Sequence, residues 1–225
     1  MRLFAALDLP DETRCAIGEA MQALQSLTHA DGKSGPVRWA RPEGMHVTLK
    51  FIGHVGDPAD PSDEQNILSS ICAALATLRS RRPVEMNFRG IGFFPDAHRP
   101  RVVWCGVETS PNFASLAADT DGVLSSLGIE PNEKASVPHI TLARFRSSNS
   151  FGNPLGNRPG SRPDNRVGGP LTQATADLLR AAEKMSSTSF GASSASEFHL
   201  FESFLKPSGA EYKRVRTFPF VEPSA

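Results

Sequence analysis

Cysteine is scarce and not spaced for pairing. The chain holds three, Cys15, Cys72 and Cys105. They form no Cys-x-x-Cys pair, so neither a disulfide framework nor a zinc ribbon is indicated, and a reducing, cytoplasmic setting is expected. Long apolar runs are also missing, and no stretch approaches the roughly 20 residues of a membrane-spanning helix. The opening "MRLFAALDLPDETR" has only a short apolar stretch, then acids and no small-residue cleavage site, and does not read as a secretory signal. Net charge is zero, with 24 Lys and Arg against 24 Asp and Glu. A protein that coats long nucleic acid needs a broad basic face to displace counterions. The balance argues against such a coat and leaves room for a small anion site.

What is present reads as a folded protein. With 225 residues, 39% of them hydrophobic and 21% charged, the chain can bury a substantial core. "RLFAALDL" (2–9) alternates like a strand. Pro10, Asp11 and Glu12 then open a helix with Ile17, Met21, Leu24 and Leu27 on one face. "SDEQ" (62–65) fits a capping box ahead of a stripe of Ile67, Ile71, Leu75 and Leu78. Strands are expected at 84–94 and 101–108. Ser110 and Pro111 open a helix whose stripe is Phe113, Leu116, Thr120, Val123 and Leu127, with Gly128 to end it. A strand at 138–145 follows, then a helix at about 170–185 and strands at about 196–205 and 212–220. Residues 146–169 are Ser, Gly, Asn, Pro and Arg with almost nothing to bury, and read as a long flexible insertion. Several adjacent strands mixed with helices point to an antiparallel α+β fold.

The chemistry lies in a short motif that occurs twice. "HVTL" at 46–49 is echoed by "HITL" at 139–142, each inside a strand-like run. Such a tetrapeptide arises by chance about once in 10⁴ positions at ordinary amino-acid usage, so two copies indicate a duplicated half-site. In a strand, His and Thr two residues apart share a face. Histidine titrates near neutrality, so one ring can be neutral while another is protonated. Facing each other across a phosphodiester, the two make a base and an acid, and the two hydroxyls can hold phosphate oxygens. No carboxylate cluster stands at ligand-like spacing, so no metal or other cofactor is called for.

These residues resemble the RNA 2′,3′-cyclic phosphodiesterases, also called 2′-5′ RNA ligases, of the two-histidine (2H) phosphoesterase superfamily with its HXTX motifs. "RLFAALDLP" is similar to that family's first strand and "VRWARPEGMHVTLKFIGHV" to its first motif. "RPRVVWCGVE" is similar to its central strand, "VPHITLARF" to its second motif, and "EFHLFESFLKPSGAEYKRVRTFPF" to its closing hairpin. The 146–169 insertion departs from the pattern. The resemblance implies a pseudo-twofold, bilobed fold of two antiparallel sheets lining a cleft, with helices outside. It implies metal-independent opening of an RNA terminal 2′,3′-cyclic phosphate to a 2′-phosphate, reversible as 2′-5′ ligation. His46 would be the proton donor and His139 the acceptor, with Thr48 and Thr141 on the phosphate. RNA 3′ ends or small cyclic nucleotides are the expected substrates, for a monomer that needs no membrane. A 2′-5′ oligoadenylate or ADP-ribose cyclic phosphate substrate is the alternative within the class, and a non-catalytic RNA-end binder the alternative outside it.

Other residues are weighed against plainer readings. Arg144 lies three residues past Thr141, so strict strand parity turns it away from the motif face, yet the family places a basic residue there near phosphate. A bulge would restore it. By parity Lys50 continues the His46 and Thr48 face and is a candidate RNA contact or a solvated lysine. Phe51 reads as core. Trp39 and Trp104 are either base-stacking or core aromatics. His29, His54, His98 and His199 lack a Thr partner and read as surface or structural. "RSRR" (79–82) reads as the cationic end of a helix.

Overall fold

The computed structural model describes residues 1–28, 37–57, 59–78, 82–132, 137–145, 173–206 and 209–220. The 146–169 insertion therefore lies outside the described residues, as do His29 and 79–81. Nine strands and four helices alternate along the described chain: β1 (Arg2–Leu7), α1 (Asp11–Ser26), β2 (Val37–Trp39), β3 (Val47–His54), α2 (Pro61–Leu75), β4 (Val84–Phe94), β5 (Val102–Thr109), α3 (Asn112–Ser125), β6 (His139–Phe145), α4 (Gln173–Lys184), β7 (Ser189–Ala195), β8 (Glu197–Lys206) and β9 (Gly209–Pro219). They form two antiparallel sheets, one in the order β3-β1-β8-β9 and the other β2-β6-β5-β4-β7. This is the expected two-lobed α+β architecture.

Apolar patterning accounts for most of the packing. β1 is central in its sheet, and all of its residues after Arg2 are buried, as its unbroken Leu-Phe-Ala-Ala-Leu run requires. α1 buries Ile17, Met21 and Leu24 along one stripe. It packs on β7 and α4, while α2 and α3 pack together and α3 reaches β3. The helices thus divide between the sheets, with α1 and α4 against β7 and β4 and with α3 against β3. In α3 the buried stripe is Phe113, Leu116, Thr120 and Leu124, so the helix phase differs slightly from expectation and Leu127 stands 44% exposed. The cap of α2 also differs. Asp60, two residues before the expected box, accepts from the Ser62 and Asp63 amides, and Pro61 occupies the first turn, where its missing N–H costs nothing. β7 has no counterpart in the sequence reading, because "SFGASSA" buries only Phe190 and shows no alternation.

The decisive local feature is a bulge that occurs twice. Between β1 and β3, Ala6 pairs with Thr48 and Ala5 with Lys50, so Leu49 is skipped. Between β5 and β6, Trp104 pairs with Thr141 and Val103 with Ala143, so Leu142 is skipped. The extra residue is the Leu of His-x-Thr-Leu in both lobes. Burial follows the same sequence from either histidine: half-buried, buried, half-buried, two buried in a row, then exposed. A bulge flips the parity of everything after it. Lys50 and Ala143 therefore turn inward, while Phe51 and Arg144 turn out beside the histidines and threonines.

Candidate active site

The two histidines are held in the same way. His46 Nδ1 lies 2.7 Å from the Gly44 carbonyl, and His139 Nδ1 lies 2.8 Å from the Val137 carbonyl. A carbonyl only accepts, so each Nδ1 carries its proton and each Nε2 is left to take or give one. In both lobes the carbonyl comes from two residues upstream. Each motif is thus presented by the bend that precedes its strand.

The surroundings of the two rings differ. His46 packs against Phe4 with ring centroids 4.6 Å apart and meets Tyr212 edge-on at 5.1 Å. Phe4 stacks in turn on Phe51 and Phe201, at 5.8 and 5.3 Å. Phe51 is 48% exposed, so it is part of this aromatic floor and not core. His139 meets Phe94 edge-on at 4.9 Å, and Phe94 leans on Trp104 at 5.1 Å. The Trp104 indole lies over Gly92, where any Cβ would collide with the ring. Trp39 does not join the cleft: it packs against the core and its indole N–H points to Thr28 Oγ1 at 3.4 Å.

A second group of residues fixes the His46 loop, and sequence reasoning missed it. Arg14 donates to the carbonyls of Pro42 (2.9 Å), Met45 (3.1 Å) and Leu9 (3.1 Å), and to Asp8 Oδ1 (2.6 Å). One guanidinium thereby ties the end of β1 to the short 3-10 turn at Pro42–Gly44 that supplies the carbonyl for His46. Asp8 also receives Arg214 from β9 at 2.5 Å. A signal existed: Arg14 sits in the first turn of α1, where the helix dipole disfavours a cation. Such a residue is placed there for another purpose.

Electrostatics distinguish the rings further. Burial against the aromatic floor pushes His46 down to about 4. The Gly44 carbonyl and Asp8 oppose this shift, while the positive charges of His139 and Arg14 add to it. An unfolded chain takes up this proton near pH 6.5 and the folded one only near 4. The native state therefore binds fewer protons between those values, and the His46 contribution to stability, complete above pH 6.5, is lost as pH falls toward 4. Urea melts at pH 7.0 and 4.5 should show native protein losing about 2 kcal/mol more than His46→Gln over that interval. Equal losses in the two proteins would contradict the desolvated ring. His199, buried on β8 with Nδ1 2.9 Å from Thr217 Oγ1, is also lowered by burial, but it is present in both proteins and cancels.

Arg144 and Lys50 end in different places. Arg144 pairs with Val102 in the ladder that also pairs Trp104 with Thr141 and Gly106 with His139, so it stands on the cleft face. Its charge is felt by Tyr212 of the other lobe, whose pKa burial raises and Arg144 and Arg2 pull back. Lys50 is neither a cleft residue nor a solvated one. Only 1% exposed, it forms an ion pair with Asp121 of α3 and donates to the Glu130 carbonyl at 2.5 Å and to Asn132 Oδ1 at 3.3 Å. The Leu49 bulge is the reason, because it sends Lys50 to the helix side of the sheet.

Two half-sites with matched imidazole tethers and a threonine beside each make an arrangement suited to acid–base work on a phosphodiester. The family model for the AKAP7 2'5' RNA ligase-like domain matches residues 11–220. The chain belongs to this family. It is 31% identical to an RNA 2',3'-cyclic phosphodiesterase of Archaeoglobus fulgidus over 97% of this chain and 99% of the relative. Its identity to the protein of that name in Methanocaldococcus jannaschii is 26%, over 96% of this chain and 99% of the relative. Among solved structures, TT0787 of Thermus thermophilus superimposes with a TM-score of 0.68 and 26% identity, covering 100% of both chains. Escherichia coli LigT complexed with 3'-AMP shares the fold, with a TM-score of 0.60, 20% identity and 98% of each chain covered. The family resemblance and the bilobed fold read from the sequence both hold. Among the described residues, no helix is long and apolar enough to cross a membrane.

Proposed function

We propose that this protein hydrolyses RNA terminal 2′,3′-cyclic phosphates to 2′-phosphomonoesters by acid–base catalysis between His46 and His139. The observation that carries the reading is the matched pair of Nδ1 tethers, which leaves one Nε2 per lobe for proton transfer. Relatives named RNA 2',3'-cyclic phosphodiesterase support the cyclic phosphodiester as the substrate.

In this mechanism His139 Nε2 takes a proton from water as the water oxygen bonds to phosphorus. The bond from phosphorus to the ribose 3′-oxygen breaks, and that oxygen takes the proton from His46 Nε2. The 2′-oxygen keeps the phosphate. Thr48, Thr141 and Arg144 hold the non-bridging oxygens, and preorganised donors of this kind stabilise charge as it develops. A bound phosphate anion raises the pKa of a neighbouring imidazole, so substrate itself restores the proton that burial removes from His46. With a 5′-hydroxyl in place of water, the same forward steps form a 2′-5′ linkage, and run backwards they cleave it to the cyclic phosphate.

The packing of His46 on Phe4 and Tyr212 favours the opposite division of labour, because burial there disfavours the protonated ring. An imidazole lowered to about 4 is neutral in the empty site and ready to act as the base. The mechanism needs both rings in either case, and the leaving-group experiment described in the Discussion separates the two assignments.

Turnover of a dinucleotide ending in a 2′,3′-cyclic phosphate, with the product identified as the 2′- or 3′-monoester, tests the reading directly. Exhaustive chelation should leave the rate unchanged, since no proposed step passes through a metal. Activity that returned only with a particular divalent ion would overturn the mechanism, and a 3′-monoester product would overturn the regiochemistry.

A further inference from the structure

A terminal cyclic phosphate occurs on long RNA and on single nucleosides alike, and the His and Thr pairs act only on the phosphate they share. A group of cations lies on the cleft face beside the second motif. Arg38 on the edge strand β2 lies directly opposite Arg144 on β6, which places both exposed side chains on the cleft face. Like charges facing each other across a ladder destabilise it, so such a pair is better suited to an anion than to sheet stability. The other lobe adds to the cluster through the β8–β9 hairpin. Arg38 donates to the Lys206 carbonyl at 2.8 Å, and the Lys206 ammonium and Arg41 both engage Glu211. Lys206 and Arg41 thus share Glu211, and the Arg38 contact to Lys206 joins this group to the Arg38–Arg144 pair. On the ladder to β5 the Leu142 bulge leaves Arg144 only two positions from Thr141, about 7 Å at strand rise, so Arg38, paired beside Arg144, stands one step further out from the phosphate centre.

We propose that Arg38 and Lys206, beside Arg144, form a subsite for the phosphodiester on the 5′ side of the terminal nucleotide, so that the enzyme prefers oligonucleotide ends over mononucleoside cyclic phosphates. This rests on the cyclic-phosphate reading given above. It requires no wider basic surface and is compatible with a chain of zero net charge, because it recognises one additional phosphate.

The test compares an adenosine 2′,3′-cyclic phosphate with an adenylyl-adenosine dinucleotide ending in the same group. Arg38→Gln and Lys206→Gln should each reduce kcat/KM for the dinucleotide about fivefold, the scale of an exposed charge contact. Turnover of the mononucleotide should change by less than about twofold. For the dinucleotide, the slope of log kcat/KM against log salt should fall by about 0.7 per cation removed, as single-strand counterion release requires. Equal losses on both substrates would mean that the residues are structural, and no loss on either would mean that the subsite lies elsewhere; both results overturn the proposal. Binding of the matching 2′-phosphorylated products reports the subsite without turnover. A protein that hydrolysed neither substrate but bound the dinucleotide product more tightly through Arg38 would refute the catalytic reading and keep the subsite.

Discussion

Replacing His139 or His46 by Ala should lower turnover of a cyclic-phosphate dinucleotide by about 10²- to 10⁴-fold each, the range of a positioned general acid or base. The double variant should be far less than multiplicatively worse, because both rings serve one transition state. Melting should change little, since both rings are half-buried at a cleft and not packed in the core. A substrate whose leaving group is much more acidic than a ribose hydroxyl needs the base but not the acid. If His46 is the donor, His46→Ala recovers most of its lost rate on that substrate and His139→Ala does not. Rescue of the His139 variant instead would assign the donor role to His139, in line with the lowered His46 ring. Near-native turnover by either variant on the dinucleotide would rule out the two-histidine mechanism.

The second large effect is on stability. Lys50→Ala should destabilise the protein by about 3 kcal/mol, since it removes a buried stem and breaks a buried pair from one side. At this chain length that lowers Tm by about 6–12 °C. Asp121 would be left accepting only the Asn132 amide, at 3.1 and 3.0 Å. Lys50→Met should recover part of the loss by refilling the apolar volume. KM for the dinucleotide should stay near native in both variants, because Lys50 faces the helix layer. A KM rise without a change in Tm would return Lys50 to the substrate face.

The contrast between Lys50 and Arg144 shows how much of the site could be read in advance. Composition and alternation were enough for an antiparallel α+β order, for β1 as a strand and for the buried faces of α1 and α2, while the two lobes followed from the family resemblance. The repeated motif located His46, Thr48, His139 and Thr141, because within the motif the period of two is intact. Beyond it, one unpaired leucine per lobe shifts the count, and no residue-type signal marks a leucine as bulged. Parity therefore placed Lys50 in the cleft and Phe51 in the core, and left Arg144 undecided. Arg14 was missed for another reason. Its partners, Leu9, Pro42 and Met45, are engaged through backbone carbonyls, which leave no imprint on side-chain pattern.

The doubled bulge also bears on the direction in which a substrate can lie. A cleft with perfect twofold symmetry would accept a nucleotide in two orientations of equal energy, only one of them productive, and half of all encounters would be wasted. Five residues beyond each histidine the lobes part company, with the flat ring of Phe51 on one side and the guanidinium of Arg144 on the other. An aromatic face suits a base, and a guanidinium suits an anion. That divergence adds to the unlike surroundings of the two rings and gives a duplicated site a front and a back.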